Sequence, residues 1–208
     1  MAEHVPKKSG VSAREKLVAA GIELFRRHGF TATPVDRICA EAGVTKGAFF
    51  HHFKSKEAIA EAAVEEWCRR RVALYMQDLG DPGDDPLERF FRWMDGLIDS
   101  VRQPGEKPVC LLGMVAQEMA GEHERMRELC REKLTGWTGL ATQLLGAAKR
   151  VHRPRVDFDP EEVGWMLNSL WQGSLLVAKT RRDPEVVASN LCHARAYVEG
   201  LFAVPPTG

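Results

Sequence analysis

The sequence predicts an all-α protein of about nine helices, with a small basic N-terminal unit ahead of a larger helical body. Apolar residues recur at helical spacing along nearly the whole chain, and helix start and stop signals punctuate it. No stretch sustains the period-two alternation of a half-buried strand. At 208 residues, 44% hydrophobic and 28% charged, the chain can bury a proper core and has the make-up of an ordinary globular protein.

Residues 1–10 are polar and read as a disordered arm with Lys7 and Lys8 as its basic pair. From Ser12 the pattern turns helical, with Leu17, Ala20, Gly21, Leu24 and Phe25 forming one apolar stripe that ends at Gly29. Thr33–Pro34 reads as an N-cap followed by proline at the first helical position, opening a second helix that stops at Gly43. Thr45 caps a short third helix to about His52, and Ser55 caps a long fourth from about Lys56 to Leu79. Beyond the turn-rich GDPGDD segment, helices are expected at about Pro86–Gln103, Cys110–Ala120, Glu122–Val151, Pro160–Arg182 and Pro184–Ala203. Three units follow: the arm over 1–10, a compact unit over 11–56 and the body over 57–208.

The formal net charge is zero, yet it is unevenly placed. Residues 1–56 hold ten Lys/Arg against five acids, leaving 19 basic and 24 acidic residues of the 29 and 29 for the remainder. Such asymmetry fits a basic module that meets nucleic acid, and it also arises by chance. The five cysteines (Cys39, Cys68, Cys110, Cys130, Cys192) are scattered without a C-x-x-C pair, so neither a zinc site nor a disulfide framework is read. No run reaches the roughly 18–20 apolar residues of a membrane span. The polar start lacks an apolar signal stretch, so the cytoplasm is expected.

The segment Ile38-Cys39-Ala40-Glu41-Ala42-Gly43-Val44-Thr45-Lys46-Gly47-Ala48-Phe49 carries the sharpest local information. Two helices meeting at a steep angle need small residues at their crossing, which Cys39 and Ala42 supply. Gly43 tolerates a positive φ in the turn, and Val44 plugs the space between the helices. Ile38 and Phe49 face inward. The pattern is that of a tight helix-turn-helix, with a generic αα-hairpin as the other reading.

Residues 12–60 resemble the DNA-binding domain of the TetR/AcrR family of one-component regulators. The resemblance rests on Leu17, Ala20, Leu24-Phe25 and Gly29-Phe30, then Val35, Ile38 and Ala42-Gly43-Val44, then the run Lys46 to Glu57. It implies a third helix that enters the major groove, with Thr45, Lys46, Gly47 and Ala48 facing bases. Lys46 would donate to a guanine edge or to phosphate. His51, His52, Lys54 and Lys56 fall where the family contacts the DNA backbone, Lys56 together with the free N–H groups that begin the fourth helix. Thr33 would touch phosphate on the other flank. Phe50 departs from the tyrosine usual there, which keeps an apolar contact and loses one hydrogen bond.

The resemblance also implies a homodimer whose last two helices form a four-helix interface. Met166, Leu170, Trp171 and Leu175 form one apolar stripe and Leu191 and Val198 belong to another; the interface is the favoured reading, with intradomain core as the other and some positions serving both. The middle helices would enclose a cavity for a small apolar or flat effector, with Trp67, Phe91, Met94, Cys110, Met114, Gln117, Trp137 and Asn168 as expected lining. Phe90, Trp93, Leu97, Met119 and Trp165 are further lining residues on this reading, and Glu118 a further polar anchor.

Cys110 stands at an expected helix N-terminus, where dipole and free N–H groups make a thiol more nucleophilic. Its segment Val109-Cys110-Leu111-Leu112-Gly113 is similar to a G-C-L-x-G stretch in a TetR subgroup, some of whose members respond to electrophiles. Val109 replaces the glycine. A small buried core residue is the plainer reading.

Double-stranded DNA, a small-molecule effector and a second copy of the chain are thus the expected partners, with no cofactor and no metal. The function implied is a ligand-released repressor on a pseudo-palindromic operator. A DNA-binding or architectural protein without a ligand is the alternative. An enzyme is not expected: no Gly-rich phosphate loop, H-E-x-x-H or G-x-S-x-G occurs.

Overall fold

The computed structural model describes residues 11–77, 79–103 and 109–202. The basic arm expected over 1–10 lies outside them, as does the expected helix end at Ala203. The described residues form nine α-helices and no strand: α1 (Ala13–His28), α2 (Val35–Ala42), α3 (Lys46–His52), α4 (Lys56–Gln77), α5 (Pro86–Arg102), α6 (Leu111–Met119), α7 (Glu124–Val151), α8 (Pro160–Arg181) and α9 (Glu185–Phe202). Each expected helix is present, with ends shifted by a few residues at most.

Local chemistry explains most boundaries. Ser12 opens α1 in a reciprocal capping box, its hydroxyl accepting the Glu15 amide while its own amide donates to the Glu15 carboxylate at 2.8 Å. Gly43 closes α2 in the left-handed region at φ 64°, as a helix-turn-helix turn requires. Ser55 accepts the Ala58 amide at 3.2 Å and starts α4. The second helix departs from expectation. Pro34, extended at φ −74° and ψ 154°, is the residue before α2, and no side chain caps that end.

Two apolar clusters hold the molecule, and the division does not fall at residue 56. The first gathers Leu17, Phe25, Ile38, Phe49 and Ile59 from α1–α4 with Leu111, Val115 and Met119 of α6 and Met126 and Cys130 of α7. The second gathers α5, the later part of α7, α8 and α9 around Phe90, Trp93, Leu145, Leu167 and Leu191. Each fully buried large side chain contributes about 1.5–3 kcal/mol, so α6 is held to the N-terminal helices by core packing. Cys110 touches both clusters.

Candidate functional site

The outward face of α3 is built by its neighbours. Phe49 is fully buried and Phe53 nearly so, which turns the opposite side of the helix to solvent. Thr45, Lys46 and Gly47 are exposed there, with Ala48 half-buried; Phe50, His51, His52 and Lys54 are exposed beyond them. The Thr45 side chain caps α3 by accepting the Ala48 amide at 3.2 Å. A Cβ at Gly47 would approach only Thr45 Oγ1, at 3.8 Å, so the start of the helix is slim. Phe50 packs edge-on against Phe49 with ring centroids 5.2 Å apart and leaves 51% of its surface exposed.

Lys46 is less free than the sequence implied. Its Nζ lies 2.7 Å from Asp36 Oδ1 on α2, and this hydrogen-bonded pairing raises its pKa. Both partners are largely exposed, so the pair is worth little to stability. It holds a cation at the exposed start of α3.

Two residues expected on phosphate are used internally. Thr33 is fully buried, and its hydroxyl donates to the Gly29 carbonyl at 2.7 Å, so it neither caps α2 nor presents an exposed hydroxyl. Lys56 is half-buried. Its Nζ donates to the Phe30 carbonyl at 3.0 Å and sits 4.1 Å from the centroid of the Phe30 ring. Both tie down the α1–α2 turn, a role that sequence spacing does not reveal. Glu118, expected as a cavity anchor, also reaches this turn: the Phe30 and Thr31 amides donate to its carboxylate at 3.1 and 2.7 Å.

A cavity of about 360 Å³ lies between α4, the end of α5, α6, α7 and α8, within the range of small-molecule pockets. Trp67, Cys110 and Trp137 line it as expected. Cys68, Arg71, Tyr75, Trp171, Gln172 and Leu175 join them, and sequence reasoning had not placed these six there. The Trp137 and Trp171 rings stack at 6.5 Å and 22°, giving the cavity a flat aromatic wall. Met114 and Gln117 line a second, smaller cavity of about 230 Å³ between α6 and α8, and Cys110 and Gln172 border both.

Other expected lining residues lie elsewhere. Met94, Phe90, Trp93, Leu97 and Met119 are buried core. Phe91 packs outside the cavity under the Arg195 guanidinium, 4.6 Å from its ring centroid. Asn168 is sealed between α7 and α8, its amide donating to Leu134 O at 3.2 Å and Thr138 Oγ1 at 2.8 Å. Trp165 points to solvent with 38% of its surface exposed. Helical periodicity marks inward residues but cannot separate a packed interior from a hollow one.

The thiols differ by environment. Cys110 is the N-cap residue of α6, and its sulfur accepts the Gly113 amide at 3.4 Å and lies 3.7 Å from Gln172 Nε2. Burial pushes the Cys68 thiol up to about 12 and the Cys130 thiol to about 11, with neighbouring thiols adding to each.

The expected dimer stripe divides. Trp171, Leu175, Leu191 and Val198 are buried within the subunit, while Leu170 is half-buried and Met166 is exposed. The apolar residues that α8 and α9 leave outside are Trp165, Met166, Leu176, Val177 and Tyr197. Most of the stripe read from sequence is inward, because the core of the subunit selects for apolarity more strongly than its surface does.

A helix-turn-helix with an exposed outward face, fused through shared core to a helical body that holds a cavity, is the architecture of a DNA-binding regulator. Two family models divide the chain accordingly. Residues 17–63 match that of the bacterial regulatory proteins of the tetR family, and residues 86–194 match the tetracyclin repressor-like C-terminal domain. The chain belongs to the TetR family of transcriptional regulators.

It is similar to the HTH-type transcriptional repressor NemR of Escherichia coli, at 29% identity over 196 residues covering 92% of this chain and 94% of the relative. The transcriptional regulator AcuR of Cereibacter sphaeroides is 27% identical over 177 residues, covering 85% of this chain and 81% of the relative. The crystal structure of the reduced form of E. coli NemR superposes with a TM-score of 0.78 at 26% identity, covering 94% of this chain and 99% of that one. Among the described residues, no helix is long and apolar enough to cross a membrane.

Proposed function

We propose that this regulator is a homodimeric repressor that binds a pseudo-palindromic operator and is released by a small apolar or electrophilic molecule. The larger cavity carries the reading. A space of about 360 Å³ walled by three indoles and two thiols falls within the size range of small-molecule sites, and its chemistry suits a flat apolar ligand or a soft electrophile. Cys110 is the thiol best placed to meet an electrophile, since it borders both cavities and stands at the start of α6.

Two recognition helices are needed because α3 presents few base-facing residues, and a dimer places them about 34–36 Å apart, one turn of DNA. Trp165, Met166, Leu176, Val177 and Tyr197 would meet their counterparts on the partner. Thr45, Lys46, Gly47 and Ala48 would face bases, and His51, His52 and Lys54 the backbone. The effector shifts occupancy only by its different affinity for the DNA-binding and DNA-free conformations. The protein would work in the cytoplasm, where a bacterial chromosome lies.

The test is to select bound fragments from random-sequence DNA and then screen compounds for release. A pseudo-palindrome released by an apolar or electrophilic compound is the expected result. A pseudo-palindrome that no compound releases would keep the DNA reading and remove the sensor.

A further inference from the structure

The turn that joins α1 to α2 is gripped from both sides. Gly29 leaves α1 at φ 83°, in the left-handed region, and a side chain there would strike the Glu118 carboxylate. The next two amides, Phe30 and Thr31, donate to that carboxylate at 3.1 and 2.7 Å across 88 and 87 residues of sequence. The carbonyls are held from the other direction: Gly29 O by the Thr33 hydroxyl at 2.7 Å and Phe30 O by Lys56 Nζ at 3.0 Å. The turn therefore has little freedom to move without α6, and α2 begins four residues after Thr31.

Glu118 stands near the end of α6, whose first turn borders the larger cavity at Cys110 and Leu112. Its side chain also borders the smaller cavity. An apolar contact would tolerate sliding between α6 and the N-terminal helices. A carboxylate that takes two successive amides does not, because both bonds lose geometry together.

We infer that Glu118 is a positioning residue for DNA reading: by clamping the Phe30 and Thr31 amides, it fixes the orientation of α2 and α3 relative to α6. The inference rests on the operator-binding reading above. An operator with two half-sites demands a fixed orientation of both recognition helices, whereas a single half-site is met by one helix that can still adjust. Loss of the clamp therefore weakens paired binding and spares single-site binding.

The test uses the full chain as Glu118→Ala and Glu118→Gln. The probes are the operator selected from random-sequence DNA and the same fragment with one half-site scrambled. Glu118→Ala is expected to lose about tenfold in affinity for the intact operator and less than about twofold for the scrambled fragment. Glu118→Gln, which keeps one acceptor oxygen, falls between. Amide hydrogen exchange at Phe30 and Thr31 should rise in Glu118→Ala and spread into α2, while the amides of α8 keep their protection and the circular dichroism spectrum is unchanged.

Equal losses on both fragments would overturn the inference, and so would unchanged exchange at residues 30 and 31. If the wild-type chain enriches no fragment from random-sequence DNA, the operator reading fails by itself. Exchange then decides the clamp: a rise confined to 30 and 31, without α2, overturns it, and a rise that includes α2 upholds it.

Discussion

The guanidinium of Arg26 lies 4.5 Å from the ring centroid of Trp67, and that same ring is a wall of the larger cavity. Arg71 approaches the ring as well, at 4.4 Å, so one indole carries two cations. Arg26 belongs to the last turn of α1 and Trp67 to the middle of α4, which makes the ring a contact between DNA-binding helices and cavity. Trp67→Leu should destabilise the fold by about 1–2 kcal/mol, the worth of two partly exposed cation–π contacts. Urea denaturation checks it, with Arg26→Ala as second arm: if the two contacts are as drawn, the double variant loses less than the sum of the singles.

The pairing of Lys46 with Asp36 restrains a cation that DNA would use. Asp36→Asn should tighten operator binding, because it frees Lys46 and removes a charge that repels phosphate. Lys46→Ala should weaken binding and reduce the slope of log affinity against log salt by about one per half-site. Competition titrations with operator and unrelated DNA at several salt concentrations decide its role. A loss equal on both DNAs identifies a phosphate contact, and one confined to operator a base contact.

Phe50 is exposed on α3, and its ring carries no polar atom. Phe50→Tyr should add one hydrogen bond to a phosphate and strengthen operator binding by about 0.5–1.5 kcal/mol, roughly two- to twelvefold. Affinity that does not change would place this ring away from the DNA backbone.

The thiols should react in order of environment. Burial holds Cys68 and Cys130 protonated through the neutral range, since their values stand at about 12 and 11. Iodoacetamide at about pH 7.5 should therefore label exposed Cys192 and cavity-wall Cys110 well before either of them, as peptide mass spectrometry would report. The same shifts have a stability consequence. Both values are raised in the folded state above the ordinary 9.0, so the native thiols bind their protons more tightly than the unfolded ones. That contribution is complete below about pH 8 and drains away as pH climbs from about 9 toward 12. Cys68→Ala should flatten the alkaline limb of the stability curve.

The two faces of the last helices predict opposite outcomes for one kind of change. Leu176→Asp, on the exposed face, should leave helicity intact and shift sedimentation from dimer to monomer. Leu191→Asp buries an unpaired charge at a site 1% exposed and should unfold the second cluster. A dimer that survives Leu176→Asp would move the interface elsewhere.

The nine helices of the described residues and the helix-turn-helix were legible in the sequence because each rests on local rules: caps, a left-handed glycine, a 3.6-residue period; which residues of α3 face outward came from the family resemblance. Thr33 shows where such rules stop. A threonine before a proline resembles a cap, yet the buried turn claims its hydroxyl for Gly29. Lys56 and Glu118 show the same limit, since their partners lie 26 and 88 residues away in the chain. Cavity lining was half legible. Trp67, Cys110 and Trp137 line the hollow, but Met94 and Asn168 share their inward periodicity and fill solid interior. Only the packing of α4 to α8 decides which inward residue faces a void.

The first apolar cluster bears on how such a protein can be rebuilt. Leu111, Val115 and Met119 of α6 are packed into the same interior as Phe25, Ile38 and Ile59. A reader excised at residue 56 would leave Ile59 and α6 behind and carry an open wound of apolar surface. Hybrid regulators assembled from this chain should therefore be spliced so that α6 travels with α1–α4. The transplantable part is a discontinuous piece of the sequence, and a graft that respects only the linear boundary carries α1–α4 without the α6 packing that completes their core.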